Sequence, residues 1–314
     1  MKHICETERL YLREFTIEDS IHFYRMNLDQ EVIKYTGDAA FNSETEAKLF
    51  LINYNQYKLH KMGRWAVCEK QTNEFLGWCG LKYHPNDDLV EVSYRFYKKH
   101  WNKGYATESA LASINYGFDV LKLKEIYAHA HIDNFASHKV IEKCGLKFID
   151  QANYDGMPAK LYKIKNPYIT IKQIPSTKTY LVRQLVLRVE KPIEDCEFDG
   201  DDLETTFHLG LYLKNELIGV ATFLENKNKL FNHQKQIQLR GMAILKKEQG
   251  FGFGDLLLKK GETILKEKGT ELLWFNAREK AIGFYKKNSY EILGKSFNIP
   301  HIGLHYTMYK HLNQ

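Results

Sequence analysis

The residues best placed to do chemistry sit between Leu239 and Leu258. Here Gly250, Gly252 and Gly254 alternate with Phe251 and Phe253, directly behind Gln249. An apolar, strand-like run from Met242 to Leu245 and the charged Lys246, Lys247 and Glu248 precede them, and an apolar, helix-like run from Asp255 to Leu265 follows. A strand that turns into a helix through glycines leaves several backbone N–H groups unpaired and aimed one way, and the helix N-terminus adds partial positive charge. Such a turn can cradle a phosphate, whereas a side chain at the glycine positions would block a diphosphate or demand a disfavoured φ. The glycine spacing alone also fits dinucleotide-binding turns and ordinary tight turns. A dinucleotide turn requires an acidic residue at the tip of the next strand, but the next strand-like run, Leu272 to Asn276, leads into Ala277 and Arg278. No Gly-Lys-Ser/Thr is present there, which excludes the P-loop of nucleotide hydrolases.

A second copy of this logic lies upstream. The alternating run Leu89 to Tyr97 leads through Trp101, Asn102, Lys103, Gly104, Tyr105, Ala106 and Thr107 into helix-period apolar residues Ala110, Leu111, Ile114, Phe118 and Leu121. Gly104 and Ala106 stand where Gly252 and Gly254 stand later, and Trp101 takes the place of Gln249. Gly104 and Gly252 are 148 residues apart (252 − 104), while Lys143 and Lys287, near the end of the next helix in each copy, are 144 apart (287 − 143). The chain is therefore a divergent internal repeat with a four-residue deletion in its second half. Asn166-Pro167 breaks the pattern, which predicts domains at 1–167 and 168–314.

The elements around these loops follow from alternation and punctuation. Strands are expected at Leu10 and Leu12, Gly63 to Glu69, Phe75 to Tyr83, Glu125 to Ile132, Leu146 to Asn153 and Ala159 to Ile164, with a helix from Asn134 to Cys144 closed by Gly145. In the second half, strands are expected at Ile169 to Ile174, Phe207 to Leu213 and Leu217 to Leu224. A helix carries Leu181, Val182, Leu185, Val186 and Val189, and two strands close the chain.

Gln249-x-x-Gly252-x-Gly254 has the form Q/R-x-x-G-x-G/A, and Ala281-Ile-Gly-Phe284-Tyr285 follows on a short helix after the next strand. In this order of loop, strand and tyrosine helix the sequence resembles the GNAT acetyltransferases. TERLYLREF, WNKGYATESA and the N-x-x-S-x-x-x-x-x-K-C-G-L pattern of the first half resemble the subgroup of ribosomal-protein N-terminal acetyltransferases, and the second half resembles a bacterial GNAT group. The resemblance implies an α/β fold of two tandem acyl-CoA N-acyltransferase domains with mixed sheets. It implies acetyl-CoA as co-substrate, held through its pyrophosphate by Asn102, Lys103, Gly104, Tyr105, Ala106 and Thr107, and by Gln249, Gly250, Phe251, Gly252, Phe253 and Gly254. The pantetheine arm is expected along the backbone at Phe96 and Ile244.

By the same resemblance Tyr285 protonates the departing thiolate, the alternative being a core aromatic beside Phe284. Ile141 occupies the equivalent place in the first domain. Asn134 and Ser137 match the first subgroup's N-x-x-S pattern, as cofactor and catalytic contacts respectively; the alternative is helix capping. Glu91 matches a frequent glutamate of that subgroup and would deprotonate the amine through a water, the alternative being a paired strand carboxylate. No base is identifiable in the second domain, where His208, Arg240 and His301 match the subgroup pattern but suit packing equally well. His129 and His131 share a strand face, yet no third ligand stands at a recognisable spacing, so no metal is expected.

Bulk properties agree with this class. The 314 residues suit two domains, and 44% hydrophobic with 27% charged content supports a folded core. No apolar run approaches the roughly 20 residues of a membrane span, and the N-terminus lacks the order of a secretory signal. Five scattered cysteines without a C-x-x-C suit reduced thiols in a cytoplasm. A net charge of +6 without a long basic cluster ranks nucleic acid below a small-molecule or peptide amine as the partner. The rival reading makes one domain, the first, a non-catalytic acyl-CoA-binding or scaffold module. The acceptor's identity and the oligomeric state are not legible.

Overall fold

In a computed structural model, which describes residues 3–154, 156–300 and 302–312, the chain divides into two units, Met1–Asn166 and Pro167–Gln314. The first unit begins with β1 (His3–Glu6), β2 (Leu10–Arg13), α1 (Ser20–Leu28), α2 (Gln30–Ile33), α3 (Glu44–Ile52) and α4 (Gln56–His60). It continues with β3 (Arg64–Glu69), β4 (Phe75–His84), β5 (Leu89–Phe96), α5 (Tyr105–Asp119), β6 (Glu125–His131), α6 (Phe135–Lys143), β7 (Lys147–Tyr154) and β8 (Met157–Lys165). Among the described residues its sheet runs β1-β2-β3-β4-β5-β6-β8-β7. Neighbours are antiparallel except β5 and β6, which are parallel.

Alternation gives this sheet two apolar faces. Trp65, Val67, Leu81, Val92 and Phe96 pack with Ala110, Ile114 and Phe118 of α5 and Ile141 of α6. Ala66, Cys68, Phe75 and Trp78 face Phe23 and Met26 of α1 and Ala47 and Leu51 of α3. Helix α5 ends at Asp119, so Leu121 falls in the following turn rather than in the helix.

The second unit holds β9 (Ile169–Ile174), α7 (Tyr180–Leu187), β10 (Phe207–Leu213), β11 (Glu216–Glu225), β12 (Gln236–Ile244), α8 (Phe253–Glu267), β13 (Leu272–Arg278), α9 (Ile282–Lys287), β14 (Glu291–Ile299) and β15 (Gly303–His311). Its sheet order is β14-β15-β13-β12-β11-β10-β9, again with one parallel pair, β12 and β13. Helices α8 and α9 cover one face through Leu257, Leu258, Leu265 and Tyr285. On the other face Val182 of α7 packs on Val220 and Ala243. Both sheets are thus mixed and sandwiched between helices, an α/β architecture in each unit.

Candidate active site

In each unit the parallel strand pair opens immediately before the glycine turn. Strands β5 and β6 are in register only at Glu91↔Tyr127. Strands β12 and β13 are in register from Gln236↔Leu272 to Gln238↔Trp274 and then part. The Tyr97 N–H donates to the Leu76 carbonyl (3.1 Å), so by strand alternation the polar backbone groups of Phe96 point away from β4, toward the edge that β6 has left. Likewise the Leu245 N–H donates to Ile218 (2.8 Å), and Ile244 faces the opened edge of β12. In the second unit a register shift opposite Val220 and Thr222, with Gly241 at φ 56°, bends β12 within the opened stretch.

The two turns repeat each other. Lys98–His100 and Lys246–Glu248 form single 3-10 turns. The Trp101 indole then donates to the Phe96 carbonyl (2.9 Å), and the Gln249 side-chain amide donates to the Ile244 carbonyl (2.8 Å). Trp101 thus does for its loop what Gln249 does for the other. Gly104 (φ 82°) and Gly252 (φ 76°) cap α5 and α8 in the left-handed region. The first N–H to close a turn is that of Glu108 onto Gly104 (3.0 Å) and that of Leu256 onto Gly252 (3.3 Å). The amides of Tyr105, Ala106 and Thr107, and of Phe253 and Gly254, are first-turn donors that a helix leaves without intrahelical partners. Asn102 (φ 62°), Lys103, Gly250 and Phe251 are exposed at the turn tips. Arg9, which no local signal marks, braces the first turn. It donates to the Lys103 carbonyl (3.0 Å) and pairs with Glu108.

Residues 9–147 match the acetyltransferase (GNAT) domain and residues 175–290 the acetyltransferase (GNAT) family. The chain belongs to the GNAT acetyltransferases, with two of their domains in tandem. One relative, an N-acetyltransferase named YitI from Bacillus subtilis, is 37% identical over 144 residues, covering 46% of this chain and 97% of its own. A second, named FsC-acetyl coenzyme A-N(2)-transacetylase, from Aspergillus fumigatus, is 29% identical over 149 residues, covering 44% of this chain and 59% of its own. Among solved structures, a GNAT-family acetyltransferase from Bacillus anthracis is 26% identical and covers 52% of this chain and 99% of its own, with a TM-score of 0.46.

Within this GNAT frame Tyr285 lies buried under Phe275, with ring centroids 4.2 Å apart, and its hydroxyl meets the Met242 sulfur (3.8 Å) on the opened stretch of β12. Burial raises its pKa well above the usual phenol value. In the first domain Ile141 is a core residue, but a phenol arrives from the opposite wall. Tyr94 of β5 stands at the place of Met242 by the same spacing as the glycines (242 − 94 = 148). Its hydroxyl donates to the Ser137 carbonyl (3.3 Å) on α6, and burial raises it too. Asn134 caps α6, its side chain accepting the Ser137 N–H (3.1 Å), so the capping role holds for this pair.

Glu91 is a paired carboxylate at the fork of β5 and β6. It is 3% exposed, with His84 Nε2 3.0 Å from Oε2, His129 Nδ1 3.1 Å from Oε1, and the Tyr154 hydroxyl donating at 3.3 Å. Burial alone would raise its pKa, but the hydrogen bonds from His129 and His84 and the Arg64 charge hold it well below the usual carboxylate range. His129 is therefore committed to Glu91, while His131 stacks on Tyr35 (5.1 Å), so the two histidines of β6 do not converge. Among the described residues no group of three His, Cys, Asp or Glu side chains is arranged to hold a metal. His208 is buried between the Thr222 hydroxyl (2.7 Å) and the Asp201 carbonyl (2.9 Å), a packing role. His301 lies outside the described residues.

Proposed function

We propose that the protein is an acetyl-CoA-dependent N-acetyltransferase that passes the acetyl group directly to a primary amine, on a small molecule or a peptide, within a ternary complex. The observation that carries this reading is the repeated pairing of an opened parallel strand edge with a left-handed glycine and the start of a helix. The acetyl-coenzyme A named in the fungal relative's title agrees with the donor. In this reading the pyrophosphate rests on the amides of residues 102–107 and 249–254, and the pantetheine arm pairs with the backbone at Phe96 and Ile244.

The amine nitrogen forms a bond to the thioester carbonyl carbon, and the amide of the opened strand stabilises the oxyanion. The C–S bond then breaks, and the sulfur takes its proton from Tyr285 in the second domain and from Tyr94, beside Ser137, in the first. In the first domain the amine's proton goes to the Glu91 cluster, and in the second it goes to solvent water. A carboxylate held so far below its usual range is a weak base by itself, so we assign acceptance to His84 or His129 with Glu91 orienting them. Five free cysteines suit a reducing cytoplasm.

Calorimetric titration of the full chain with acetyl-CoA tests the reading. Two sites per chain are expected. Saturation at one site would confine the reaction to a single domain and leave the other a scaffold, and no binding would overturn the proposal. A panel of amines, followed by release of free thiol, then identifies the acceptor.

A further inference from the structure

The second unit gathers four guanidinium groups where β12 and β13 part. Arg183, Arg188 and Arg240 lie 4.3, 5.6 and 5.2 Å from the centroid of one ring, that of Phe198. Arg183 is fully matched in charge. It is completely buried, forms a two-pronged pair with Asp201, and donates to the Cys196 carbonyl and the Thr222 hydroxyl. The other three are not matched. Arg240 donates to the Asp199 carbonyl (2.8 Å), and Arg278 to the Leu187 carbonyl (3.1 Å), next to Arg188. Among the described residues each of these carbonyls is the only hydrogen-bond partner of its guanidinium, the Arg188 guanidinium contacts only the Phe198 ring, and none of the three makes an ion pair. The acids nearest Arg240 are Asp201, already consumed by Arg183, and Asp199, which is exposed.

Their place in the sheet is as telling as their charge. Arg240 comes two residues after the last rung between β12 and β13, and Arg278 ends β13 four residues after it. By alternation Arg240 shares a face with Gln238, and Arg278 with Trp274 and Asn276. Leu239, Phe275 and Ala277 point the other way, into the core under α8. The three arginines therefore ring the opening on the α7 side, one from each parting strand and one from the end of α7. Burial lowers the affinity of Arg240 for its proton, and burial together with the repulsion of Arg188 lowers that of Arg278. Partly buried like charges whose nearest acids are shared with Arg183 or exposed to water gain from an anion that joins them, and guanidinium forks match the geometry of carboxylate and phosphate oxygens.

We propose that Arg188, Arg240 and Arg278 form an anion subsite, and that the second domain acetylates an amine whose own molecule carries a carboxylate or a phosphate. The proposal rests on the reading of that domain as an acetyltransferase.

The test uses the full chain and two matched amine pairs, propylamine against β-alanine and ethanolamine against O-phosphoethanolamine, with thiol release as the readout. One anionic member should exceed its neutral counterpart in kcat/KM by about tenfold or more, as charge-assisted contacts would give, and which one tells carboxylate from phosphate. Arg188→Gln and Arg278→Gln should each collapse that preference, and Arg188→Lys should restore part of it. Equal rates within both pairs, a preference that survives both glutamine variants, or a loss of acetyl-CoA binding in those variants would overturn the subsite. A titration with inorganic phosphate separates the two proposals. Saturable binding that Arg188→Gln removes, in a protein that acetylates nothing, keeps the subsite and sinks the transferase reading. Absence of binding in a protein that acetylates neutral amines does the reverse.

Discussion

At the scale of single residues, the two domains place a phenol in the same gap from opposite walls. Tyr285 reaches from α9 to Met242 on the strand, while Tyr94 takes the strand position and reaches back to Ser137 on α6. Burial raises both phenols above their ordinary value. A raised pKa keeps the donor-competent, protonated form present beyond pH 10, so the alkaline limb of the rate profile should lie above the range of a free tyrosine. Loss of a positioned proton donor costs about 10²–10⁴-fold. Tyr285→Phe should therefore slow turnover in the second domain by at least that lower figure, and Tyr94→Phe should do the same in the first. A Tyr94→Phe/Tyr285→Phe double variant that releases thiol at the original rate would remove both phenols from the mechanism. The tyrosine of α9 was legible in the sequence because its helix follows the loop in order. Tyr94 was not, because its role appears only once a contact between β5 and α6 is known.

At the scale of elements, the glycine turns separate conformational need from steric need. Gly252 and Gly104 hold the left-handed region, where a Cβ costs about 1–2 kcal/mol. Gly254 is helical, and a Cβ there would have the Phe284 ring (3.3 Å) and the Met242 methyl (3.5 Å) as its nearest neighbours, side chains that can give by a few tenths of an ångström. The first domain already carries Ala106 at that place. Gly252→Ala and Gly104→Ala should thus weaken acetyl-CoA binding in calorimetry, each at its own site, whereas Gly254→Ala should leave affinity within a few fold. Equal losses in all three would mean that the turn's shape is not what binds. The turns, their flanking strands and α5, α6 and α8 could be read from the sequence because glycine placement and apolar period are local signals. Helices α3 and α4 were not anticipated, although Ser43 and Glu46 form an S-x-x-E start for α3, the Ser43 hydroxyl accepting the Glu46 N–H (3.2 Å). The partners of Glu91 were likewise hidden, since His84, His129 and Tyr154 come from β4, β6 and β7 and meet only after the sheet forms.

At the scale of the whole molecule, both units bury phenols, but they differ in the number of thiols that they bury. The first unit holds Cys5, Cys79 and Cys144, which burial pushes up to about 12, about 11 and about 12, and Cys68, which burial raises as well. The second holds Cys196, raised as well, and the phenols of Tyr285 and Tyr290, all pushed up chiefly by burial. A group whose folded pKa is raised contributes stability that is intact below its unfolded value and is lost as pH rises through the folded one. For Cys5, Cys79 and Cys144 that window opens near 9, the ordinary thiol value, and closes at about 11 to 12. For the phenols of the second unit it opens near 10. Urea unfolding should therefore show the first unit losing stability at a lower pH than most of the second. Trp274 is the tryptophan of the second unit, so its emission, compared with a Trp274→Phe variant, separates the two transitions. Cys79→Ala and Cys144→Ala together should flatten the first unit's decline above pH 9, because the unfolded chain then has fewer thiols to ionise. If the decline keeps its slope in that variant, the buried thiols are not what limits the first unit in alkali.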